Sequence, residues 1–463
     1  MKHTCFRLIV VASSLAAGIV ECRPHYGGTL RVEMRTIIRD LSPADWPAAP
    51  VESASKDRLM KLVFERLVEL DDAGTPQPGL AFTWTQDPDG LGWRFYLRPN
   101  VRFHDGSELT PASGVESLAG TLRGCEVMAG DGSVLIRTPQ PRPDLPLELA
   151  STRHSIWRRA PDGRLAGTGP FRTSGCSSGP CLQLVANADC WRGRPFLDGV
   201  SIQMGRSLRD QMLDLELGKA EIVEVAPDAV RLAAQRGARI WRSMPNVLVA
   251  LLLDAARPST QDRRLREAVA LAMDRSSVHN VLLQNQGEIT CAVLPQWMSG
   301  FAFLHPPAQN LDRARQLVAS LASPVPPLTL ACDSSDPLAQ LIADRIALDA
   351  HEVGITIHTS TLRSGADVSL VQLPTPGPRP DVALVEMVRA LGLNDEKLPA
   401  PPAGLRAVQA AESLLLGDYR IIPLFHLPAL YASSTRVRSW NTRGLAVDGT
   451  WRFEDLWLES EEN

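Results

Sequence analysis

The sequence predicts an α/β protein of two or three domains, on three observations. The chain has 463 residues, which is more than a single hydrophobic core organises. Between residues 167 and 204, short runs of alternating apolar residues are separated by turn residues, which predicts an antiparallel sheet in mid-chain. Between residues 328 and 357, a strand, an amphipathic helix and a second strand follow one another, which predicts a βαβ unit with a right-handed crossover.

The bulk composition is that of an ordinary globular protein. Hydrophobic residues make up 44% and charged residues 22% of the chain, and the formal net charge is −4. This charge gives no indication of a nucleic-acid partner. The sequence also carries no H-E-x-x-H helix, no P-loop and no dinucleotide-binding fingerprint. We therefore predict neither an enzyme nor a resident metal or cofactor.

The N-terminus is typical of an export signal. Basic residues at positions 2, 3 and 7 precede an apolar run at residues 8–20, which is too short for a membrane-spanning helix of about 20 residues. We predict a signal peptide over residues 1–22 and a periplasmic location. Cys22 stands where a lipoprotein cysteine would, but Glu21 departs from the small-residue pattern before such a cysteine. A lipid anchor at Cys22 is therefore the less favoured alternative.

The first third of the chain predicts a strand, a helix and a small sheet. The strand is expected over residues 27–32 and the amphipathic helix over residues 57–68. Residues 78–84 read P-x-L-A-x-x-W, and residues 93–106 read W-x-F-x-L-R-x-x-V-x-F-H-D-G, an alternating strand that ends in a turn. Thr110 followed by proline then predicts the start of a helix.

Two further expectations concern this part of the chain. His104 and Asp105 are neighbours in the turn, and adjacent turn residues rarely point at one substrate, so we expect a structural role for them rather than a catalytic one. Between residues 124 and 150 the sequence predicts a single strand, at residues 134–136, before a proline-rich loop.

The most distinctive sequence motifs lie in the middle of the chain. Residues 167–170 read G-T-G-P, which predicts a turn whose glycines adopt an unusual φ. A hairpin follows, and residues 187–200 then read N-x-D-x-W-x-G-x-P-x-L-D-G-V. Residues 247–253 form a continuous apolar run, which predicts a buried strand. Residues 266–275 read R-x-A-x-x-x-A-x-D-R on an amphipathic helix, with Asp274 as the cap of the next helix.

These motifs, in this order, resemble the family 5 extracellular solute-binding proteins, the peptide- and nickel-type receptors of bacterial ABC importers. The resemblance covers roughly residues 27–458. It implies a two-lobed α/β fold of the periplasmic-binding-protein class, type II, with an extra subdomain in the first lobe. The expected segments are a signal peptide (1–22), the first segment of lobe I (27–50), its extra subdomain (51–165), its central sheet (166–245), lobe II (246–424) and the C-terminal segment of lobe I (425–463).

The resemblance weakens where the ligand is expected to bind. In peptide-binding relatives an aspartate and a tryptophan-rich loop receive the ligand's amino terminus, whereas residues 365–403 of this chain contain no tryptophan. The candidate ligand-binding residues are Trp46, Trp297, Asp367, Arg379 and Asp381. A surface loop and two core tryptophans are the structural alternatives for these five.

The cysteines fit an exported chain. Cys176 and Cys181 flank a Ser-Ser-Gly-Pro turn, so their spacing predicts a disulfide across the hairpin. A metal site is disfavoured, because the spacing is not C-x-x-C and no histidine pair is near. The other cysteines of the mature chain are expected to be free buried thiols, namely Cys125, Cys190, Cys291 and Cys332.

From the resemblance we expect an extracytoplasmic solute-binding protein of an ABC importer. It would capture a peptide-like or related small solute between its lobes and deliver it to the ABC permease subunits of the inner membrane, acting as a monomer with no nucleic-acid partner. The ligand is left open between a peptide, a nickel chelate and a sugar. The alternative is an exported sensor or interaction protein that kept the scaffold and lost the peptide pocket. A hydrolase on an unrelated fold ranks third.

Overall fold

The structure is a computed structural model that describes most of the chain. The described residues are 24–47, 49–71, 74–175, 179–322, 324–362, 364–377, 379–393, 404–440 and 451–459. Among these residues, no helix combines the length and the apolar character that crossing a membrane requires.

The described part of the chain contains both strands and helices. The strands are β1 (Thr29–Glu33), β2 (Val68–Leu70), β3 (Pro76–Pro78), β4 (Ala81–Gln86), β5 (Gly92–Leu97), β6 (Glu126–Gly130), β7 (Ser133–Arg137), β8 (Arg158–Arg159), β9 (Leu165–Ala166), β10 (Phe171–Gly175), β11 (Cys181–Ala186), β12 (Gly199–Gln203), β13 (Ile222–Glu224), β14 (Arg239–Leu253), β15 (Glu288–Ile289), β16 (Leu328–Ala331), β17 (Ile357–Ser360), β18 (Val368–Pro374), β19 (Ile421–Ser433), β20 (Val437–Arg438) and β21 (Trp457–Leu458). The helices are α1 (Pro50–Val63), α2 (Pro111–Ala119), α3 (Leu145–Glu148), α4 (Leu208–Glu216), α5 (Val230–Gln235), α6 (Arg263–Ala272), α7 (Arg275–Ser277), α8 (Gln296–Ser299), α9 (Leu311–Ala319), α10 (Pro337–His351), α11 (Pro380–Ala390) and α12 (Leu405–Leu416).

One mixed sheet runs through both lobes. Its strand order is β10-β11-β12-β1-β13-β19-β14-β18-β16-β17, with β15 added to β19. The strands up to β13 belong to lobe I, and those from β18 onward belong to lobe II. The antiparallel strands β14 and β19 belong to both: residues 239–242 pair with residues 430–433 in lobe I, and residues 247–252 pair with residues 421–427 in lobe II. These two strands therefore join the lobes.

The core of lobe I is built from separate parts of the chain. Buried residues of β1, of β10 to β13 and of the C-terminal segment pack together with Leu59, Met60 and Val63 of helix α1. The helix covers residues 50–63 rather than the expected 57–68, because Pro50 suits its first turn and Phe64 adopts an extended backbone. Helix α1 therefore packs in the core of lobe I, and the expected start of the extra subdomain at residue 51 stays a prediction.

The extra subdomain has its own sheet and core. Its strands follow the order β4-β5-β7-β6, and buried side chains of residues 67–166 pack on one another. Helix α2 begins with the predicted Thr110 cap, in a reciprocal capping box with Ser113. The expectation of one strand between residues 124 and 150 was wrong. Strand β6 also forms there, joined to β7 by a tight turn in which Gly132 has φ 58°.

Lobe II buries a core on each face of its part of the sheet. The predicted βαβ unit is present: β16 and β17 pair in parallel, and helix α10 connects them. Strand β18 pairs with β16 in parallel and with β14 antiparallel, which attaches this unit to the crossing strands. The continuous apolar run at residues 247–253 lies in β14, as predicted.

The two glycines of the G-T-G-P turn are explained by close packing rather than by a left-handed φ. Neither Gly167 nor Gly169 has a left-handed φ. A side-chain carbon on Gly167 would lie 2.2 Å from the carbonyl oxygen of Val63, and one on Gly169 would lie 2.7 Å from the Val63 carbonyl carbon. The turn is therefore pressed against the end of helix α1, and only glycine leaves enough room.

His104 holds the same turn from the other side. The backbone N–H of Gly167 donates to Nδ1 at 3.2 Å, and the opposite ring nitrogen, Nε2, donates to the carbonyl oxygen of Gly169 at 3.0 Å. Burial lowers the pKa of His104 to about 4. The ring is thus a neutral structural link between two of the sequence motifs, as expected for this residue.

Candidate functional site

The two lobes face each other where strand β1 ends and helix α10 begins. Arg35, just after β1, reaches across from lobe I: its Nη2 lies 3.4 Å from the carbonyl oxygen of Ser335, and its Nη1 lies 3.9 Å from Oδ2 of Asp336. Asp336 caps helix α10 by accepting from the backbone N–H groups of residues 338 and 339. The start of a 15-residue helix in lobe II is thereby set against the sheet of lobe I.

The lobe I wall next to Arg35 contains a cluster of polar side chains, formed by Arg58, Glu224 and Tyr431. Oε2 of Glu224 accepts from the backbone N–H of Arg35 at 2.7 Å. Arg58 donates through Nη1 to the hydroxyl of Tyr431, lies 3.9 Å from Oε1 of Glu224, and rests 5.7 Å from the centre of the Trp451 ring. Burial alone would lower the pKa of Arg58, but Tyr431 and Glu224 outweigh it and raise the pKa. Arg58 is therefore a fixed cation in this wall.

Sequence reasoning missed this group. Arg58 and Tyr431 are 373 residues apart, and neither lies in a motif that the family resemblance singled out. The folded lobe brings them together, because helix α1 packs in the same core as Tyr431, which β19 places between β13 and β14.

Arg379 and Asp381 lie together at the rim of lobe II. Nε of Arg379 donates to Oδ1 of Asp381 at 2.8 Å, and a second guanidinium nitrogen also bonds this carboxylate. Nη1 of Arg379 lies 3.1 Å from Oδ2 of Asp144, which belongs to the extra subdomain of lobe I. Burial would raise the pKa of Asp381, but Arg379 more than offsets it and lowers the pKa. Arg379 thus joins the two lobes while Asp381 orients it.

Trp46 lies in lobe I next to Arg153, whose charge acts on lobe II. The guanidinium of Arg153 lies 5.1 Å from the centre of the Trp46 ring, and the ring is held by a hydrogen bond from Nε1 to Ser53. Burial raises the pKa of Glu386 on helix α11. The charges of Arg153 and Arg389 lower this pKa, but they do not cancel the effect of burial. Trp46 and Glu386 therefore belong to opposite walls of one gap.

Trp297 supports the crossing between the lobes. Its Nε1 donates to the carbonyl oxygen of Pro245 at 2.7 Å. The pairing of β14 with β19 is irregular on both sides of Pro245, between Arg242 and Pro245 and again between Pro245 and Val247. Because proline has no N–H to donate, this is a weak point of the sheet. Trp297 therefore packs against the place where the crossing strand can bend.

Asp367 is not brought to the gap. It is buried in lobe II, where Oδ2 accepts from the backbone N–H of Thr329 at 2.8 Å and Oδ1 accepts from the hydroxyl of Ser259. The neighbouring Val368 pairs with Leu253, at the end of β14 that is farthest from lobe I. The structure thus gives Asp367 a role in fastening a loop to the sheet.

The cysteines and metal ligands can be placed only in part. Cys181 is disulfide-bonded, and Cys176 lies outside the described residues, so the pairing of these two stays a prediction. The cysteines expected to be free thiols are free, with Cys125 partly exposed and the others buried. Within the part of the chain that the structure describes, no three His, Cys, Asp or Glu side chains are grouped to hold a metal ion.

Comparison with known proteins agrees with this architecture. The chain matches the model of the bacterial extracellular solute-binding proteins, family 5 Middle, over residues 75–122 and 129–386. It is 23% identical over 407 residues to the probable di/tripeptide-binding protein 5 of Pseudomonas aeruginosa, covering 76% of each chain. It is also 32% identical over 160 residues to the uncharacterized protein YhjP of Bacillus subtilis, but that match spans 32% of this chain and 28% of YhjP.

Solved structures share the whole fold. The substrate-binding protein CtaP of Listeria monocytogenes superposes with a TM-score of 0.80 at 17% identity, covering 94% of this chain and 99% of CtaP. DppA of Helicobacter pylori, solved with the peptide STSA, gives a TM-score of 0.78 at 17% identity, with the same coverage. NikA of Staphylococcus aureus, solved with Ni(L-His)2, gives 0.76 at 16% identity, covering 93% of this chain and 100% of NikA.

These findings confirm the two-lobed periplasmic-binding-protein fold that the sequence motifs predicted. The neighbours are substrate-binding proteins rather than enzymes, and the family model extends from the extra subdomain well into lobe II. This chain belongs to the family 5 bacterial extracellular solute-binding proteins, which bind their substrates without transforming them.

Proposed function

We propose that this chain captures a small, peptide-like solute between lobe I and lobe II and delivers it to the permease of an ABC importer. The observation that carries the proposal is the pair of crossing strands, β14 and β19, which are the sheet's connection between the lobes and are irregular at Pro245. Two bodies joined in this way can swing about the irregular segment and enclose a ligand. The ligand then favours the closed form by as much as it binds that form better.

The charges on the two walls support a solute that carries both amino and carboxylate groups. Lobe I presents the cations Arg58 and Arg153, and lobe II presents Glu386. Part of the Glu386 side chain reaches solvent, and the charges of Arg153 and Arg389 act on its carboxylate. A cation on one wall and a carboxylate on the other can each receive one end of a zwitterion.

The relatives support the same class of ligand. One homologue is described as a di/tripeptide-binding protein, and two neighbouring structures contain a peptide or a nickel–histidine complex. Peptides and histidine both carry amino and carboxylate groups, which suits the pair of walls in this chain. Peptides are therefore the first solutes to test, with nickel–histidine complexes second.

The experiment is a thermal-shift screen of the purified chain with di-, tri- and tetrapeptides, nickel–histidine complexes and sugars. A solute present at 100 times its dissociation constant should add about 2.7 kcal/mol to the free energy of unfolding. Small-angle scattering on the same samples should show a more compact molecule with the stabilising solute. A complete absence of shifts would instead support an exported protein that kept the scaffold and lost its pocket.

The variant Glu386→Gln tests the lobe II wall. We expect it to weaken peptide binding about tenfold, because a ligand ammonium loses its charged partner. The matched control is Glu352→Gln, on an exposed glutamate just after helix α10 whose backbone carbonyl, rather than its carboxylate, accepts from Arg315. Titration calorimetry measures both dissociation constants. Equal affinity in the two variants would remove Glu386 from the site.

A further inference from the structure

A cavity lies between the extra subdomain and the loop that joins β11 to β12, away from the contacts between the lobes. Its volume is about 610 Å³, and its lining residues are Phe82, Arg98, Pro99, Asn100 and Trp191. None of these residues takes part in the contacts between the lobes described above. The volume falls within the range of about 300–1,000 Å³ that is usual for small-molecule sites.

The walls of this cavity are aromatic and fixed in place. Trp191 donates through Nε1 to Oε2 of the buried Glu65 at 2.8 Å, which holds the orientation of its ring. Phe82 leaves 47% of its surface exposed and contacts Tyr96, with the ring centres 6.2 Å apart. The exposed ring of Phe82 offers an apolar surface that a flat ligand can cover.

Arg98 places a positive charge in the cavity that is not neutralised by a carboxylate of the described residues. Its guanidinium lies 4.7 Å from the centre of the Trp191 ring, and its Nε donates to the carbonyl oxygen of Gly79 at 2.7 Å. In the part of the chain that the structure describes, no carboxylate pairs with this guanidinium. Arg192, on the same ring, differs: it is paired with Glu65 at 3.2 Å and with Glu69 at 2.8 Å.

Asn100 adds a second polar group at the edge of the cavity. Its backbone has φ 63°, a left-handed conformation that asparagine tolerates. Its exposed side-chain amide makes no hydrogen bond with any residue that the structure describes. The cavity thus combines one unpaired cation and one amide with three apolar surfaces.

We propose that this cavity binds a small aromatic carboxylate. The fixed guanidinium of Arg98 suits a carboxylate because its two terminal amino groups can donate in parallel. The ring of the ligand would lie against the exposed face of Phe82, while Trp191 holds Arg98 in place for the carboxylate. This site is separate from the solute site between the lobes, so an experiment can disprove either proposal without affecting the other.

Titration calorimetry of the full chain with phenylacetate tests the proposal. We expect binding to phenylacetate, with phenylacetamide and acetate each at least about tenfold weaker, because one lacks the charge and the other lacks the ring. Phe82→Ala and Arg98→Gln should each weaken phenylacetate binding about tenfold or more. Leu362→Ala, on a leucine of lobe II with 72% of its surface exposed, is the matched control and should leave the affinity unchanged.

Three results would overturn the proposal. One is no binding of phenylacetate up to about 10 mM. Another is equal affinity for phenylacetamide, and the third is unchanged affinity in Phe82→Ala. Because Arg98 also supports Gly79, loss of binding in Arg98→Gln alone does not count unless its melting temperature matches that of the wild type. Glu386→Gln, which alters the wall between the lobes, should leave phenylacetate binding unchanged; weakening there would place the compound in the solute site.

Discussion

At the scale of single residues, lobe II contains a carboxyl group whose pKa is raised by burial. Glu412 is fully buried, and its Oε1 accepts from the backbone N–H groups of Val293 and Leu294. Its Oε2 has no hydrogen-bond partner among the residues that the structure describes. Burial is the largest influence on this group, and it raises the pKa to about 7 against the pull of the two N–H groups.

The first prediction follows from this raised pKa. The folded-state pKa exceeds the unfolded value, so the stability that Glu412 contributes is present below about pH 4.5 and is lost as pH rises through about 7. The difference in unfolding free energy between wild type and Glu412→Gln should therefore change by up to about 3 kcal/mol across this window, in favour of the variant at high pH. Urea unfolding at a series of pH values measures it.

The comparison with the glutamine variant removes the effect of the histidines. His104, His154 and His426 have pKa values lowered to about 4 by burial, so their contribution runs in the opposite direction and is lost as pH falls below about 6.5. It is common to both proteins and cancels in the difference. A difference that stays constant with pH would show that Glu412 is not protonated in the folded state.

At the scale of elements, the contact between helix α1 and the G-T-G-P turn fixes two parts of lobe I. We predict that Gly169→Ala destabilises the protein by about 1–3 kcal/mol, because the new methyl group would meet the backbone of Val63. Gly120→Ala is the control, since Gly120 has φ −80° and open space around it. Urea unfolding compares the two, and equal stability would contradict the packing explanation.

The sequence predicted elements where the signal is local. The Thr110 cap and the βαβ unit were found because caps, turns and apolar periodicity lie within a few residues of one another. Strand β6 was missed because none of its five residues is buried, so it shows no apolar alternation. Its position is set instead by pairing with β7.

The residues of the candidate site were predicted less well than the helices and strands, because their positions depend on contacts between distant parts of the chain. Arg379 and Trp46 are found at or near the contacts between the lobes, although their role in binding stays a prediction. Asp367 fastens a loop far from the gap. Arg58 and Tyr431 meet only through the completed sheet, so no pattern within one stretch of sequence indicated them.

At the scale of the whole molecule, one of the contacts between the lobes is weak enough for a ligand to outweigh it. Asp144, which pairs with Arg379 across the lobes, has a side chain that is 67% exposed. Such an ion pair contributes roughly 0–1 kcal/mol and weakens with salt. This contact alone therefore does not lock the lobes together.

The whole-molecule prediction concerns the balance between open and closed forms. Asp144→Asn should raise the ratio of open to closed molecules by up to about fivefold at low salt, because the closed form loses the pair with Arg379. The matched control is Asp162→Asn, an exposed aspartate paired with Arg164 inside the extra subdomain. Spin labels, one in each lobe, report the distance distribution by electron spin resonance. Identical distributions for the two variants would show that the pair does not favour closure.

The way lobe I is assembled has a consequence for how the chain matures. Strand β1, near the start, pairs with β13, which in turn needs β19, and the core around them is covered by Trp451 and Phe453 near the end. During synthesis, most of lobe II can therefore be complete while the first lobe to emerge is still uncovered. A nascent chain halted before residue 451 presents an apolar sheet without its cover, which is the form most exposed to aggregation and to proteases.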